Sequence, residues 1–144
     1  MLDTALTIVL VLNTIWFFGG YHTFDIRGRI FAKIVVPREH RDTPVMETLV
    51  HSGKFVAGFN LAFMVLNALL LFNMGLFDKN LQWTILLLAF AVAHGTQFAY
   101  NVPVALQNRR GEGVWQVKGL MLFIFVTDFT LMMFNGILSL LYLI

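Results

Sequence analysis

The stretch KGLMLFIFVTDFTLMMFNGILSLL, residues 118–141, decides the fold. It is long enough to cross a bilayer, since a transmembrane helix needs about 20 mostly apolar residues. Yet Asp128 sits near its middle, with Met121 seven residues before it and Asn135 and Tyr142 at seven-residue steps after it. A seven-residue step returns to nearly the same side of an α-helix, drifting by only about 20°. One side of this helix is therefore penalised by hydrocarbon and satisfied by a neighbouring helix or a cavity.

Working outward, three more apolar runs keep the same rhythm. Their stripes are Leu6-Asn13-Gly20, Gly53-Asn60-Asn67 and Leu87-His94-Asn101. The four spans read as roughly 4–23, 55–75, 82–102 and 118–141. Composition agrees: mean hydropathy is +0.77, with 58% apolar and 12% charged residues, where soluble domains carry about 25% charged residues. The expectation is an all-α, integral membrane, antiparallel four-transmembrane-helix bundle, with 1–144 as a single transmembrane domain. The first residues carry Asp3 and no Lys or Arg before the apolar stretch. Leu6 to Thr23 is thus expected to persist as a membrane helix rather than to be cleaved as a secretory signal. No cysteine is present, which excludes disulfides, thiolate metal sites and thiol nucleophiles.

Charge gives the orientation. Arg27, Arg29, Lys33, Arg38, Arg41 and Lys54 lie between the first two runs, and Arg109, Arg110 and Lys118 lie between the last two. Only Lys79 of the ten cations falls elsewhere. The positive-inside rule places both basic loops in the cytoplasm and both termini at the periplasm or exterior. The sequence pI of 9.2 reflects those loop cations, and no nucleic-acid partner is expected. Trp83 and Trp115 fall where an aromatic belt would meet the head groups.

Within 25–36, Ile26, Ile30, Phe31, Ile34 and Val35 gather near one helical face, the pattern of a short cytoplasmic interfacial helix ended by Pro37. Thr43-Pro44 reads as a helix start, with Glu47 near the positive end of its dipole. Pro103 cannot donate to the Ala99 carbonyl and is expected to kink or end the third span.

The candidate site comes from depth. At about 1.5 Å per residue, His94 lies roughly 12 Å and Asp128 roughly 15 Å from the inner boundary, so neighbouring helices would let them meet. An ionised carboxylate at mid-bilayer is expensive, so Asp128 is expected to be protonated, paired with His94 or facing water. The two read either as a catalytic acid–base pair or as a hydrogen bond linking two helices. Gln97 and Asn101 extend the stripe towards the cytoplasm and, with Asn60, form a candidate binding stripe for a lipid or quinone. His22 and His51 near the inner boundary are a candidate haem b ligand pair, although no ligand-spacing motif accompanies them. Lys54, with Arg27, Arg29 and Arg38, is a candidate pocket for a phosphate or an anionic lipid. His22, His40, His51 and His94 are too few to build the histidine-rich clusters of membrane di-iron oxygenases. The chain also lacks GxSxG, a phosphate loop and HExxH.

The leading expectation is a non-catalytic membrane subunit or accessory protein that packs against other transmembrane subunits or copies of itself. Membrane lipids surround it, and lipid or quinone is a ligand of the stripe. The alternatives are a small haem- or proton-coupled redox enzyme using His22, His51, His94 and Asp128, and a lipid- or sterol-binding protein.

Overall fold

In the computed structural model, which describes residues 2–144, the chain is all-helical. Met1, at the head of the amino-terminal stretch read above, lies outside the described residues. The helices are α1 (Leu2–Tyr21), α2 (Gly28–Val35), α3 (Pro44–Phe72), α4 (Asn80–Asn108) and α5 (Leu120–Leu143). Among the described residues no strand occurs, and four stretches are long and apolar enough to cross a membrane: Leu2–Ile26, Pro44–Phe72, Asn80–Asn108 and Leu120–Leu143. The fold class expected from the runs is therefore present, as a multi-pass membrane protein.

The seven-residue stripes are the buried sides of these helices. Leu6, Asn13, Asn60, Asn67, Leu87, His94, Met121, Asp128, Asn135 and Tyr142 are all buried, while Ile15, Phe59, Ile85 and Leu140 on other sides are exposed. Only Gly20, Gly53 and Asn101, each at an end of its stripe, are partly exposed.

The chain divides into two compact units. One comprises Leu10–Leu70. In it α1 and α3 run antiparallel: Phe17 stacks on Phe63 with ring centroids 5.1 Å apart, and further along α1 Gly20 meets Asn60. A π-helical turn over His22–Ile26 closes α1, with the Arg27 N–H donating to the His22 carbonyl at 2.9 Å. α2 then returns along the first turns of α3. Its Gly28/Ala32 side is buried, Arg29 pairs with Glu47 at 2.6 Å, and Ile26, Ile30 and Ile34 stay exposed. Val36 turns extended and Pro37 follows, so α2 stops where the sequence placed its end. The carbonyls left open there are taken up by Arg41, whose Nε donates to Val36 O at 3.0 Å and whose Nη2 donates to Lys33 O. A cation at a helix carboxyl end also suits the helix dipole. α3 begins at Pro44, as Thr43-Pro44 announced.

The other unit comprises the residues through Val9 together with Leu71–Ile144. α4 and α5 lie antiparallel along most of their length: His94 meets Asp128, and further back along α4 the Thr84 carbonyl accepts a hydrogen bond from Ser139 Oγ at 2.8 Å. α5 is preceded by Gly119, whose φ of 56° and ψ of −125° suit a residue without a Cβ.

Two expectations are narrowed or changed here. Of the kink or end expected at Pro103, the end does not occur: α4 continues to Asn108. Proline removes one helical hydrogen bond, but its own φ is helical, and the following turn is held from both sides. Val104 is buried, and Asn108 organises the loop beyond, its Nδ2 donating to the Glu112 and Trp115 carbonyls at 2.9 Å and its Oδ1 accepting from Val117 N at 2.7 Å. Trp83, read as part of a head-group belt, is instead 5% exposed. Its indole N–H donates to the Phe77 carbonyl at 3.1 Å and its ring lies 5.2 Å from that of Phe77, so it pins the short connection between α3 and α4.

Candidate functional site

The α4–α5 pair brings together the two residues that sequence singled out as an acid and a base. His94 Nδ1 lies 3.2 Å from Asp128 Oδ1, and both side chains are 0% exposed. The contact needs one proton between the two atoms, carried either on the imidazole nitrogen or on the carboxyl oxygen. Four residues along α4, on the same face, Phe98 stacks on Phe125 at 4.7 Å and lies 5.0 Å from Phe129. These rings build an apolar wall one turn from the pair. In a low-dielectric interior such a hydrogen bond is electrostatically strong, and losing either partner is correspondingly costly.

The asparagines of the stripes solve the same problem differently. Nδ2 of Asn60, Asn67 and Asn135 donates to the carbonyl four residues earlier (Val56, Phe63 and Leu131) at 2.8 Å, and that of Asn101 donates to Gln97 at 2.9 Å. Back-bonding of this kind satisfies one of the two amide N–H groups within its own helix. The second N–H and the amide oxygen are then the groups each asparagine offers outward. At Asn67 and Asn101 that oxygen is buried with no hydrogen-bond partner among the described residues. Asn60 presses its amide against Gly20, where a Cβ would stand 2.2 Å from Oδ1 and 2.6 Å from Cγ. The candidate ligand residue Asn60 is thus also a packing element, seated where glycine removes the side chain.

The remaining candidates are divided between the two units. Gln97 and Asn101 are half-buried on α4. His22 lies in the π-helical turn, its ring centroid 6.4 Å from that of Phe18, and His51 is exposed on α3. No hydrogen bond or ring contact joins these two histidines, and no group of three or more His, Asp or Glu side chains among the described residues is placed to hold a metal ion. The basic pocket is partly neutralised: Arg29 pairs with Glu47, and Lys54 Nζ lies 3.9 Å from Asp25 Oδ1.

Three residues have structural roles that the sequence did not reveal. Gly20 closes the seat of Asn60, Asn108 holds the α4–α5 loop, and Arg41 caps α2. Gly20 was legible as a stripe position, and Asn108 stood just before the turn signal Gly-Glu-Gly. Arg41 carried no local signal beyond its charge. Comparison with known proteins gives no match to a family model, to a characterised protein or to a solved structure.

Proposed function

We propose that the chain is a non-catalytic integral membrane subunit or accessory protein that packs its apolar outer sides against partner transmembrane helices or further copies of itself. The observation that carries this reading is where the polar groups sit. His94, Asp128, Asn13, Asn67 and Asn135 are 0% exposed, whereas Ile15, Phe18, Phe59 and Phe123 are half exposed or more. Reactive groups are withdrawn and apolar surface is offered, the reverse of an open active site. The proposed orientation has both basic loops in the cytoplasm and both termini outside, supported by the nine cations in those loops.

The test places a photo-reactive amino acid at Ile15, Phe59 and Phe123 in turn, in native membranes. A discrete adduct heavier than the chain, with the same protein mass from at least one position in every preparation, is the expected result. Lipid adducts alone, together with full turnover by a purified monomer, would overturn the reading.

A second reading is favoured by the His94–Asp128 contact: a proton-coupled enzyme in which the pair passes a proton between α4 and α5. In that case Asp128→Asn abolishes turnover while leaving thermal stability intact. Loss of stability without a functional phenotype in the native membrane returns the pair to a helix-linking role. An absorption spectrum, oxidised and dithionite-reduced, addresses the haem variant of this reading. A Soret band lost in His22→Ala or His51→Ala would establish that variant, and a featureless spectrum would remove it.

A further inference from the structure

A cavity of 180 Å³ opens between α2 and α3, lined by Phe24, Gly28, Phe31, Ala32, Gly53 and Val56 among others. Its space exists because three of these positions are glycine or alanine. Ser52 is the one hydroxyl in the lining, and it donates to the Thr48 carbonyl of its own helix at 2.8 Å. Water in such a space finds few polar partners. Apolar cavities of roughly 150 Å³ stay dry and accept hydrocarbon guests.

The surroundings name the guest. Arg27 and Arg29 flank Gly28, Lys33 follows Ala32, and Lys54 follows Gly53. Arg29 and Lys54 are paired with Glu47 and Asp25, but Arg27 and Lys33 are exposed and form no ion pair among the described residues. From Asp25 to Lys54 the cations Arg27, Arg29, Lys33, Arg38, Arg41 and Lys54 outnumber the anions Asp25, Glu39, Asp42 and Glu47. Exposed Ile26, Ile30 and Ile34 add an apolar rail along α2 and the turn before it. An apolar slot beneath unpaired cations complements a molecule with a hydrocarbon tail and a negative head.

We propose that the α2–α3 cavity seats one acyl chain of an anionic phospholipid, with the head group held over Arg27 and Lys33. The chain enters between Gly28 and Gly53, and the phosphate compensates the two cations that have no carboxylate of their own. This site shares only Gly53 with the stripes and uses none of their polar side chains, so it stands or falls independently of the subunit reading. A cationic pair next to a membrane surface favours anionic over zwitterionic lipid, each cation contributing on the order of a fewfold.

The test reconstitutes the full chain in vesicles of equimolar phosphatidylglycerol and phosphatidylcholine, one or the other carrying a diazirine on its acyl chain. Irradiation followed by peptide mapping is expected to put phosphatidylglycerol on the peptides covering Phe24–Ala32 and Leu49–Val56 in excess over phosphatidylcholine, with no excess on α5. Gly53→Leu fills the slot without backbone conflict, since a Cβ there stands 3.6 Å from the Phe24 carbonyl and 3.8 Å from its ring. It should cut labelling of those peptides about tenfold while α5 labelling is unchanged. Gly53→Ala, which adds one methyl, should give a smaller cut and serves if the leucine variant does not fold. Arg27→Gln with Lys33→Gln should bring the two lipids to parity. Unchanged labelling in Gly53→Leu, or equal labelling by both lipids in the wild type, would overturn the proposal.

Discussion

The two helix pairs, α1–α3 and α4–α5, carry the same seven-residue signature and fasten themselves by different means. In α4–α5 the polar residues reach across: His94 bonds Asp128, and Ser139 bonds the Thr84 backbone. At the Gly20–Asn60 crossing of α1–α3, the asparagine bonds its own helix through Val56 and uses its bulk to fill the place of a missing side chain. Periodicity thus identifies the side of a helix that must be buried, but not the kind of contact that buries it. Inter-helix hydrogen bonds lose free energy when a partner is deleted. Close seats lose it when an atom is added.

The sharpest way to break this comparison is at Asp128. Asp128→Leu removes the carboxyl that His94 meets at 3.2 Å in a fully buried setting, a loss of about 3 kcal/mol, read as unfolding in mild detergent. His94→Leu with Asp128→Leu together should be less destabilised than the sum of the single variants, because the contact they share is then lost once rather than counted twice. The coupling itself is expected to be nearer 1 kcal/mol, since in bilayers the separated helices find other partners. Additive single effects would mean that the 3.2 Å contact contributes nothing.

Next in size is the seat. Gly20→Ala places a methyl 2.2 Å from Asn60 Oδ1 and, as overpacking of a filled site, should cost about 2 kcal/mol. Gly19→Ala, one residue away and with nothing within 4 Å of the added Cβ, should be neutral or stabilising by up to about 1 kcal/mol from helix propensity. Asn60→Ala should rescue Gly20→Ala. If the two neighbouring glycines respond alike, α1 and α3 do not meet at this point.

How much of this could be read from the chain follows from range. The four spans, the Pro44 start, the Pro37 stop and the buried sides of the helices follow from periodicity and backbone chemistry, and all are local. His94 with Asp128 was legible because both are rare in hydrocarbon and a shared depth leaves few partners. The seat of Asn60 was not, because a glycine in a membrane helix has many uses and only three dimensions show which atom approaches it. Pro103 left a kink and an end both open, because proline removes one bond but does not decide a helix end when Val104 and Asn108 hold the next turn. Trp83 misled because its position suited a head-group belt equally well, and the Phe77 carbonyl that takes its N–H was not visible in sequence.

A smaller effect sharpens the α4–α5 side. Ser139→Ala removes the hydroxyl that crosses to the Thr84 carbonyl, but that carbonyl keeps its place in the α4 ladder. The loss should be about 0.6 kcal/mol, the usual value for one inter-helix hydrogen bond in a membrane, measured in the same detergent unfolding series as Asp128→Leu. A loss equal to that of Asp128→Leu would show that α5 is held by hydroxyl and carboxyl groups alike, and that His94 has no special place.

The smallest expected effect tests the one close ion pair of α2 with α3. Arg29 and Glu47 are 2.6 Å apart, but their side chains are 62% and 47% exposed. Solvent screens such a pair, and exposed pairs contribute about 0–1 kcal/mol. A double-mutant cycle with Arg29→Gln and Glu47→Gln should therefore give a coupling of a few tenths of a kcal/mol at low salt and none near 1 M salt, where the screening length is about 3 Å. The buried Gly28/Ala32 face, not the ion pair, would then hold α2 in place. A coupling well above 1 kcal/mol that survives high salt would mean something else covers the pair in the intact membrane. Lipid head groups and a partner subunit are the two candidates, and repeating the cycle in detergent and in vesicles separates them: a head-group effect disappears in detergent, whereas a subunit that remains bound through extraction preserves it.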